Sequence, residues 1–451
     1  MSLLSGERSL HLTQFGQEVT HGTPVACTAV IPGFSTGIAE LDRSPSKINE
    51  DYGELAMNEP YRGYYGSRIA KLPFRGDLTF ENCMHHFGAA IAGGVTPTLT
   101  ATGVYLWTYL ADLTADTLDS KTIKEGDNLT AYQMSYAMAE SLRLSFSTLG
   151  APGNSPWQID ANYIGQDKSP ATFDAGAVTP TAPETVMGHL TRLYLGTTST
   201  AWASLTEQVG LLAVDQTIPT GVTPRIYGAG SDVFQFHGRQ KPDPTGNWTL
   251  FATASTLANL FSPFQTNAGS PVMAEFRARL QALGGQISGT NDGQTITITG
   301  SPTGGTFTLT YSTQTTAAIA WNATAAQVQA ALWSLPAIGA NNVVVTGGPG
   351  PATPWVVTFQ NQLGDAAVGT ITATSSLTGG TAPAIAVTHT ATGAGYRKQF
   401  TLDTRIRMSA VPVAEDANGA TVYRAAVEFV KDATLGGVYQ IAVQNGVALL
   451  P

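Results

Sequence analysis

Residues 132–146 read YQMSYAMAESLRLSF, and apolar side chains occupy every second position in two consecutive runs. The first run consists of Tyr132, Met134, Tyr136 and Met138, and the second consists of Leu142, Leu144 and Phe146. Alternation with a period of two is typical of a β-strand that buries one face. The stretch therefore predicts two strands joined as a β-hairpin, and it indicates a mainly β fold.

The C-terminal region repeats this alternation. Apolar side chains at positions 400, 402, 406 and 408 alternate with polar ones at 401, 403, 405 and 407. An Asn418-Gly419 turn signal follows, and residues 421–430 form a second β-rich run. This pattern predicts another hairpin with one polar face.

The composition agrees with a turn-rich β protein. The chain has 451 residues, of which 48 are Gly and 25 are Pro, and only 12% are charged. An average soluble protein has about 25% charged residues. The length allows two to four domains. We expect a mainly β protein with a few short helices.

Charge and targeting signals exclude several classes of protein. Lys and Arg total 23 against 32 Asp and Glu, a net charge of −9, so the molecule is expected to repel a nucleic-acid backbone. The two cysteines, Cys27 and Cys83, are too few for a disulfide scaffold, and we expect both to be reduced. No signal peptide or long apolar run is present. These features predict a soluble protein that is made in the cytoplasm and has no membrane partner.

Residues 287–395 contain only two charged side chains, Asp292 and Asp365, and are predicted to form an inserted module. Strands are expected at 295–299 and 306–311, paired with each other, and at 342–346, 355–359 and 370–374. Thr324 and Gln327 form a capping box, and a short helix follows it. The module is thus a small α+β or Ig-like domain.

The remaining residues, 1–286 and 396–451, are predicted to form one discontinuous body. Within it, residues 76–93 and 246–265 are weakly similar, each with a strand followed by a helix. Asn82 is the expected cap of the first helix, and the second carries Leu257, Leu260, Phe261 and Phe264 on one face. Either the body holds two tandem units, 1–170 and 171–286 with 396–451, or the similarity is due to chance.

Motifs for catalysis or metal binding are weak. GFSTG at 33–37 matches a nucleophile-elbow pattern, but the flanking prolines do not fit it and no histidine is placed as a base. Cys83, His85 and His86 could ligate zinc by type, yet their helical spacing separates them. We expect Cys83 to be buried and one or both histidines to face solvent or a neighbour. No enzyme activity, cofactor or metal is predicted.

Residues 15–25, FGQEVTHGTPV, resemble the opening of major tail proteins, the tail tube subunits of long-tailed, non-contractile bacteriophages. The order of later features is similar as well, over about 340 residues in all. The inserted module separately resembles a module of phage structural proteins and bacterial surface proteins. That resemblance lies in GGTFTLTY at 304–311, ATAAQVQAAL at 323–332 and VTGGPGP at 345–351.

The resemblance implies a tail-tube-type β-sandwich or barrel that assembles with copies of itself. Its rings would have sixfold or pseudo-sixfold symmetry and would stack into a tube in the virion tail. A body with two similar units implies three chains per ring, and a body with one implies six. Further implied partners are a tape-measure protein and tail terminator or tip proteins, while double-stranded DNA passes through the lumen without specific binding.

In the resembled family, a long loop, here 38–75, contacts a neighbouring ring. The expected contact residues are Glu40, Asp42, Arg43, Glu50, Asp51, Glu54, Tyr61, Tyr64 and Tyr65. A solvated acidic loop is the alternative.

The inserted module is expected to project outward as decoration. The alternative functions are a β-rich surface or adhesion protein, a tail-tip protein or a capsid decoration protein.

Overall fold

The structure is a computed structural model. It describes residues 11–41, 45–49, 60–65, 68–112, 118–127, 129–149, 155–178, 183–226, 231–240, 243–251, 275–409, 413–417 and 419–450. Of residues 40, 41, 45–49, 60–65, 362 and 413 it describes only the backbone. The predicted helix with Leu257, Leu260, Phe261 and Phe264 lies outside the described residues. Within the described part of the chain, no helix is both long and apolar enough to span a membrane.

The chain divides into two compact units, and the predicted mainly β class is confirmed. Unit 1 comprises Met1–Ala101, Tyr105–Gly285 and Lys398–Pro451, and unit 2 comprises Thr102–Val104 and Gln286–Arg397. The predicted module 287–395 lies within unit 2.

Among its described residues, unit 1 is built from antiparallel strands and one α-helix, with short 3-10 helices at Gly188–Leu190 and Trp202–Ser204. The strands are β1 (Leu12–Gln17), β2 (Ala29–Val30), β3 (Phe34–Ser35), β4 (Ala39–Leu41), β5 (Pro45–Asn49), β6 (Pro60–Tyr65), β7 (Ile69–Asp77), β8 (Thr98–Ala101), β9 (Val104–Leu110), β10 (Lys121–Gly126), β11 (Ala131–Ser147), β12 (Gln158–Gly165), β13 (Ser169–Ala171), β14 (Thr191–Thr197), β15 (Thr206–Gln208), β16 (Leu211–Pro219), β17 (Val222–Arg225), β18 (Phe236–Arg239), β19 (Thr245–Phe251), β20 (Glu275–Thr290), β29 (Ala394–Met408), β30 (Val413–Ala417), β31 (Ala420–Val430) and β32 (Tyr439–Asn445). The helix is α1 (Cys83–Ala90). Strands β9, β20 and β29 each contain a boundary between the units.

The stretch predicted as a hairpin at 132–146 is one continuous strand, β11, so that prediction is wrong. Its first part pairs with β10 and β13, and its second part pairs with β12 and β16. The strand is therefore shared between two sheets. It changes sheets without reversing direction.

Two irregularities in β11 explain why the alternation looked like a hairpin. Tyr136 has a left-handed φ of 54°, and the register with β10 shifts beside it. The register with β12 shifts again between Ala139 and Ser141. Each extra residue moves the following side chains to the opposite face. Met134 thus lies in the main core, whereas Tyr136 and Met138 lie in a separate small cluster with Phe234.

The left-handed bend at Tyr136 is held by the buried carboxylate of Glu18. Glu18 Oε1 accepts hydrogen bonds from the Tyr136 N–H (2.9 Å) and from the Thr122 hydroxyl (2.9 Å). Its Oε2 accepts from the Gly22 N–H (2.8 Å) and from the Ser120 hydroxyl (2.6 Å). Gly22 has φ +79°, which favours glycine at this turn. The motif at 15–25 therefore ties β1 to the bend in β11.

A long sheet extends across unit 1 from the second part of β11. β3 and β4 pair with β7, β7 pairs with β12, and β12 pairs with β11. Next, β11 pairs with β16, β16 with β19, β19 with β31, and β31 with β29 and β30. These pairings span eight strand positions, and the first part of β29 also pairs with β32, which pairs with β9. Across the first four positions, the strands stand first, second, fourth and third in chain order: β3 with β4, then β7, β12 and β11. The last four positions repeat this order with β16, β19, β31, and β29 with β30.

The C-terminal hairpin was predicted correctly. β29 and β30 pair in succession with β31, and the pairing of β30 with β31 runs to Ala417–Ala420, the residues that flank the predicted turn. The described residues of the expected loop at 38–75 instead lie mostly in strands β4 to β7, and β5 and β6 pair with each other from Pro45–Tyr65 to Asn49–Pro60.

Helix α1 lies inside unit 1 with all eight of its residues buried. Asn82 occupies the N-cap position as predicted, but its side chain makes no capping hydrogen bond. Its backbone angles of −111° and −19° are those of a helix, whereas a capping side chain requires an extended backbone. The helix is stabilised by burial against aromatic residues such as Phe15 and Tyr109.

Unit 2 has two four-stranded sheets and one helix. Strands β21 (Gly293–Thr299), β25 (Val343–Gly347), β26 (Trp355–Phe359) and β28 (Ala384–Ala391) form one sheet. Strands β22 (Gly304–Tyr311), β23 (Gln314–Thr315), β24 (Ile319–Ala320) and β27 (Thr372–Thr378) form the other. Helix α2 (Ala325–Trp333) has the predicted capping box of Thr324 and Gln327.

The strands expected at 295–299 and 306–311 exist, but the prediction that they pair with each other is wrong. β21 pairs with β26 and β28, whereas β22 pairs with β23, β24 and β27. Gly300 and Ser301 both have positive φ, and at this turn the chain crosses to the other sheet. The strand expected at 370–374 is β27, and β28 was not predicted.

Both charged residues of the module lie where the chain enters and leaves unit 2. Asp292 is fully buried and accepts hydrogen bonds from His389 Nε2 (2.7 Å) and the Gly393 N–H (3.1 Å). Burial acts to raise the pKa of Asp292, but these hydrogen bonds outweigh it and hold the pKa below its usual range. Asp365 accepts a hydrogen bond from Gln286. The charges thus join the segments at the base of the module.

The ends of unit 1 on either side of the module are held by one carboxylate. Glu184 Oε1 accepts a hydrogen bond from the Gly285 N–H (2.6 Å), and Glu184 Oε2 lies 3.0 Å from Lys398 Nζ. Lys398 also forms an ion pair with Glu81 (2.5 Å). Glu184 therefore holds together the two points at which the chain leaves unit 1 and returns to it.

The substitution Glu18→Ala is expected to destabilise unit 1 by about 2 to 4 kcal/mol, because the buried Tyr136 N–H, the partly buried Gly22 N–H and two buried hydroxyls lose their acceptor. Urea unfolding followed by tryptophan fluorescence measures this change. Glu207→Ala, at a half-exposed ion pair with Arg192, is the control and should change stability by less than about 0.5 kcal/mol. Equal effects of the two substitutions would contradict the role given to Glu18.

Candidate functional surface

One face of the eight-position sheet is buried and the other is polar. On β11, Leu142 and Leu144 point into the core, whereas Arg143 and Ser145 lie on the opposite face. The neighbouring strands follow the same alternation in register. We call the side that carries Arg143 the polar face; its members on the other strands include Lys71, Arg75, Gln158, Asp160, Asp215, Thr217, Asn247, Arg407, Arg424 and Glu428.

A row of alternating charges crosses four adjacent strands of the polar face. Arg75 of β7 pairs with Asp160 of β12 (3.2 Å), and Asp160 pairs with Arg143 of β11 (3.2 Å). Arg143 then forms a two-pronged contact with Asp215 of β16, with N–O distances of 2.7 and 2.8 Å. The guanidinium of Arg143 is thus held by two carboxylates.

Ion pairs continue over the second half of the sheet. Arg407 pairs with Glu428 (2.7 Å), Arg424 pairs with Glu415 (3.0 Å), and Arg405 pairs with Glu275. Lys71, in the first half, pairs with Glu140 (3.1 Å). Each of the six cations on the described polar face is therefore paired with a carboxylate: Lys71, Arg75, Arg143, Arg405, Arg407 and Arg424.

The pairing of Arg143 with Asp215 stabilises the charged form of both groups. Hydrogen bonds from Arg143 hold the pKa of the Asp215 carboxyl below its usual range. Hydrogen bonds to Asp215 likewise raise the pKa of the Arg143 guanidinium. Both residues are half-exposed, so water screens the pair and its contribution to stability is modest.

A groove of about 580 Å³ opens on the polar face across β11, β16 and β19. Arg143, Asp215 and Arg424 contribute charged groups to its walls, and Ser145 and Asn247 contribute uncharged polar groups. Leu149 and Phe146 line its apolar part. The groove therefore carries positively charged, negatively charged and neutral hydrogen-bonding groups, which water can hydrate.

The predicted contact residues are only partly described. Asp42, Arg43, Glu50, Asp51 and Glu54 lie outside the described residues. For Glu40, on β4, and for Tyr61, Tyr64 and Tyr65, on β6, the structure describes the backbone and not the side chain. Their expected contacts with another ring stay a prediction.

The cysteine and histidines of α1 are all buried. His86 Nδ1 lies 2.6 Å from the Tyr163 hydroxyl, and the His86 ring packs edge-on against Phe15. The burial of Cys83 was predicted correctly, but the expectation that a histidine faces solvent or a neighbour is wrong. No group of three metal-ligating side chains occurs among the described residues.

The GFSTG stretch places Ser35 beside a histidine, which sequence reasoning did not foresee. Ser35 Oγ lies 3.4 Å from His11 Nε2 and donates a hydrogen bond to Glu125 Oε1 (2.8 Å). His11 Nε2 also contacts Glu125, so the same ring nitrogen faces both partners. A catalytic triad uses opposite ring nitrogens for these contacts. Ser35 is also buried, and the arrangement is structural.

Sequence reasoning missed the row of ion pairs. Its signal was present, because Arg143, Asp160 and Asp215 each sit at a polar position of an alternating stretch. The sequence does not say which strands are neighbours, so it could not place these three side chains together.

Comparisons with known proteins gave limited matches. No family model matches the chain. A tail sheath protein of Mycobacterium phage Bxz1 is 34% identical over 138 residues, which cover 30% of this chain and 22% of the sheath protein. A solved structure from Mycobacterium phage Patience covers 56% of this chain and 82% of its own at 15% identity. Its TM-score of 0.17 is too low to support an argument about fold.

The burial of His86 predicts acid sensitivity of unit 1. Burial, with a smaller effect of the Lys121 charge, lowers the pKa of His86 from 6.5 to about 3. Since the unfolded chain binds this proton more readily, stability is complete above pH 6.5 and falls as the pH is lowered towards 3. One such group costs about 2 kcal/mol at pH 5. Unfolding free energies measured from pH 7 to 4.5 should show this decrease.

The substitution His86→Gln is expected to reduce that pH dependence by about one proton, since Gln does not titrate. Tyr163→Phe is the matched control, because it removes the hydrogen bond to His86 and keeps the histidine buried. Tyr163→Phe should retain the slope of the parent protein. Identical slopes for the parent and His86→Gln would contradict the assignment.

Proposed function

We propose that this protein is a structural component of a bacteriophage tail whose body assembles with copies of itself into stacked rings that form the tail tube. The observation that carries the proposal is the eight-position sheet, which has one buried face and one ion-paired polar face. A closed ring of such sheets buries its apolar side and presents the polar face to a water-filled channel. The segment similar to a phage tail sheath protein supports a place in the tail.

The ends of this sheet support assembly by edge pairing. Among the described residues, β30 pairs only with β31, and β4 pairs only with β7. Unpaired strand edges favour association with another chain, and ring closure removes them. Within one chain, the β11–β16 pairing joins the first four-stranded half of the sheet to the second. Pairing of β30 with β4 of the next copy would join the second half to the first half of that copy in the same way.

The repeated order of strands favours three chains per ring. Positions one to four, ending with β11, and positions five to eight, beginning with β16, have the same antiparallel pairings. Three chains would then supply six similar four-stranded units, which gives pseudo-sixfold symmetry. A ring of six chains would double the number of strands and widen the channel.

In this proposal the function is structural and not catalytic. The tape-measure, terminator and tip proteins of a tail are the proposed further partners, and double-stranded DNA is the proposed cargo of the channel. The relative's name raises an alternative, a subunit of the tail sheath. A sheath subunit would need an inner tube to assemble on, whereas a tube subunit should polymerise by itself.

Unit 2 is proposed to be an outward decoration of the tail. The two charged residues of the module 287–395 are engaged at its base, so the rest of the module's surface is uncharged and rich in Thr and Ser. Weak adhesion to the host surface is the activity we propose for it.

Negative-stain electron microscopy of the purified full-length chain at physiological salt tests the proposal. We expect hollow tubes with a repeating ring period, and end-on views that separate three chains from six. Monomers at every salt and protein concentration tried would contradict self-assembly. Sleeves that form only when a separate tube is added would favour the sheath alternative.

The substitution Ala414→Pro is expected to abolish tubes. Ala417 faces Ala420 in the register of β30 with β31. The pair that closes a two-residue hairpin is hydrogen-bonded, and hydrogen-bonded pairs alternate with non-hydrogen-bonded ones, so Ala414 directs its backbone groups away from β31. Proline removes the N–H that would bond to the next chain. Ala414→Ser keeps that N–H and should form tubes as the parent does. If both variants assembled equally well, β30 would not be the contact edge.

Replacement of residues 287–395 by a short Gly-Ser linker is expected to leave tube assembly intact, because Glu184 holds both ends of unit 1 together. Host adsorption of phage carrying this variant should decrease. The measurements are tube yield by microscopy and the rate of phage adsorption. Unchanged adsorption would remove the adhesive role, and loss of tubes would contradict a purely decorative module.

A further inference from the structure

The arginines of the polar face raise a physical problem if this face lines a DNA channel. Guanidinium groups bind phosphate in a two-pronged geometry, and clusters of them hold DNA tightly at low salt. Arg75 and Arg143 lie on strands β7 and β11, which β12 separates, and Arg424 opens onto the same groove as Arg143. A set of free arginines at these positions would retain a moving duplex.

The carboxylates beside them occupy the positions that phosphate oxygens would take. Asp215 contacts both Nε and Nη2 of Arg143, which is the two-pronged contact of a phosphate or carboxylate. Asp160 contacts Nη1 of Arg143 at 3.2 Å and also pairs with Arg75. Arg143 therefore has three of its nitrogens engaged within the chain.

We propose that Asp160 and Asp215 act as built-in substitutes for phosphate, which keep Arg143 and Arg75 from capturing the backbone of double-stranded DNA. The paired row stays strongly hydrated at close range. Beyond a Debye length of about 8 Å its charges cancel, so it neither attracts nor strongly repels the duplex. The inference rests on the proposed function, since the polar face meets DNA only if it lines the channel.

The double variant Asp160→Asn/Asp215→Asn tests this proposal. It keeps the size of both side chains and removes their charges, which changes the net charge from −9 to −7. We expect it to bind a duplex of about 30 base pairs at least tenfold more tightly than the parent at about 50 mM NaCl. Because the binding is electrostatic, it should be lost at about 300 mM NaCl. Fluorescence anisotropy of labelled DNA is the measurement.

Two controls separate the released arginines from the change in net charge. Glu207→Gln/Asp232→Asn removes the carboxylate partner of Arg192 and one of the two carboxylate partners of Arg68, which keeps Asp167 (3.0 Å). Neither arginine lines the groove, and the net charge is the same as in the first variant. This control should bind DNA no more than about twofold better than the parent. Adding Arg75→Gln and Arg143→Gln to the first variant should abolish its gain in binding, because both released arginines are then removed. An equal gain in both double variants would overturn the proposal, and so would no gain in the first.

A second variant on the same face keeps the proposal testable if the first variant does not fold. Glu415→Gln/Glu428→Gln releases Arg424 and Arg407 and should also gain salt-sensitive DNA binding. Circular dichroism establishes that each variant is folded. The binding assay does not require tubes, so failure of the proposed assembly would show in microscopy and failure of this inference would show in DNA binding. A folded second variant without gained binding would overturn the inference.

Discussion

The hydrogen bond from the Tyr136 N–H to the buried carboxylate of Glu18 is the interaction on which the architecture of unit 1 depends. A β-strand that bends through a left-handed residue leaves a backbone N–H without its ladder partner. Burying that N–H unsatisfied would cost about 1 to 3 kcal/mol. Glu18 satisfies it, and β11 can therefore leave one sheet and enter another. The sheet that carries the polar face begins at this transition.

In both units, the charged groups discussed above are engaged with partners in the same unit. On the polar face every described cation has a carboxylate partner, and in the low-charge module both carboxylates are engaged at the base. The net charge of −9 therefore does not describe either surface well. Local pairing, and not the total, sets what each surface can attract. For a proposed tube subunit this matters more than net acidity, because a duplex in a channel meets side chains within a few ångströms.

Predictions from sequence were accurate where short-range rules decide. The capping box of Thr324 and Gln327, the strand Trp355–Phe359 and the C-terminal hairpin depend on residues close together in the chain. Predictions failed where a single backbone angle or a distant partner decides. Alternation predicted strands within 132–146 correctly but could not show that bulges, and not a turn, interrupt it. The pairing of 295–299 with 306–311 failed because the turn carries the chain into the opposite sheet.

The sequence by itself determined the mainly β class, the low-charge module and the polar alternation of the strands, since these follow from composition and from the two-residue period of a strand. The tertiary structure decided which strands are neighbours, and therefore which carboxylate faces which arginine. Residues such as Arg143 and Asp215 are 72 positions apart, and only the pairing of β11 with β16 brings them together. Strand pairing is a long-range choice that local pattern does not encode, because any two strands with one apolar face can pair.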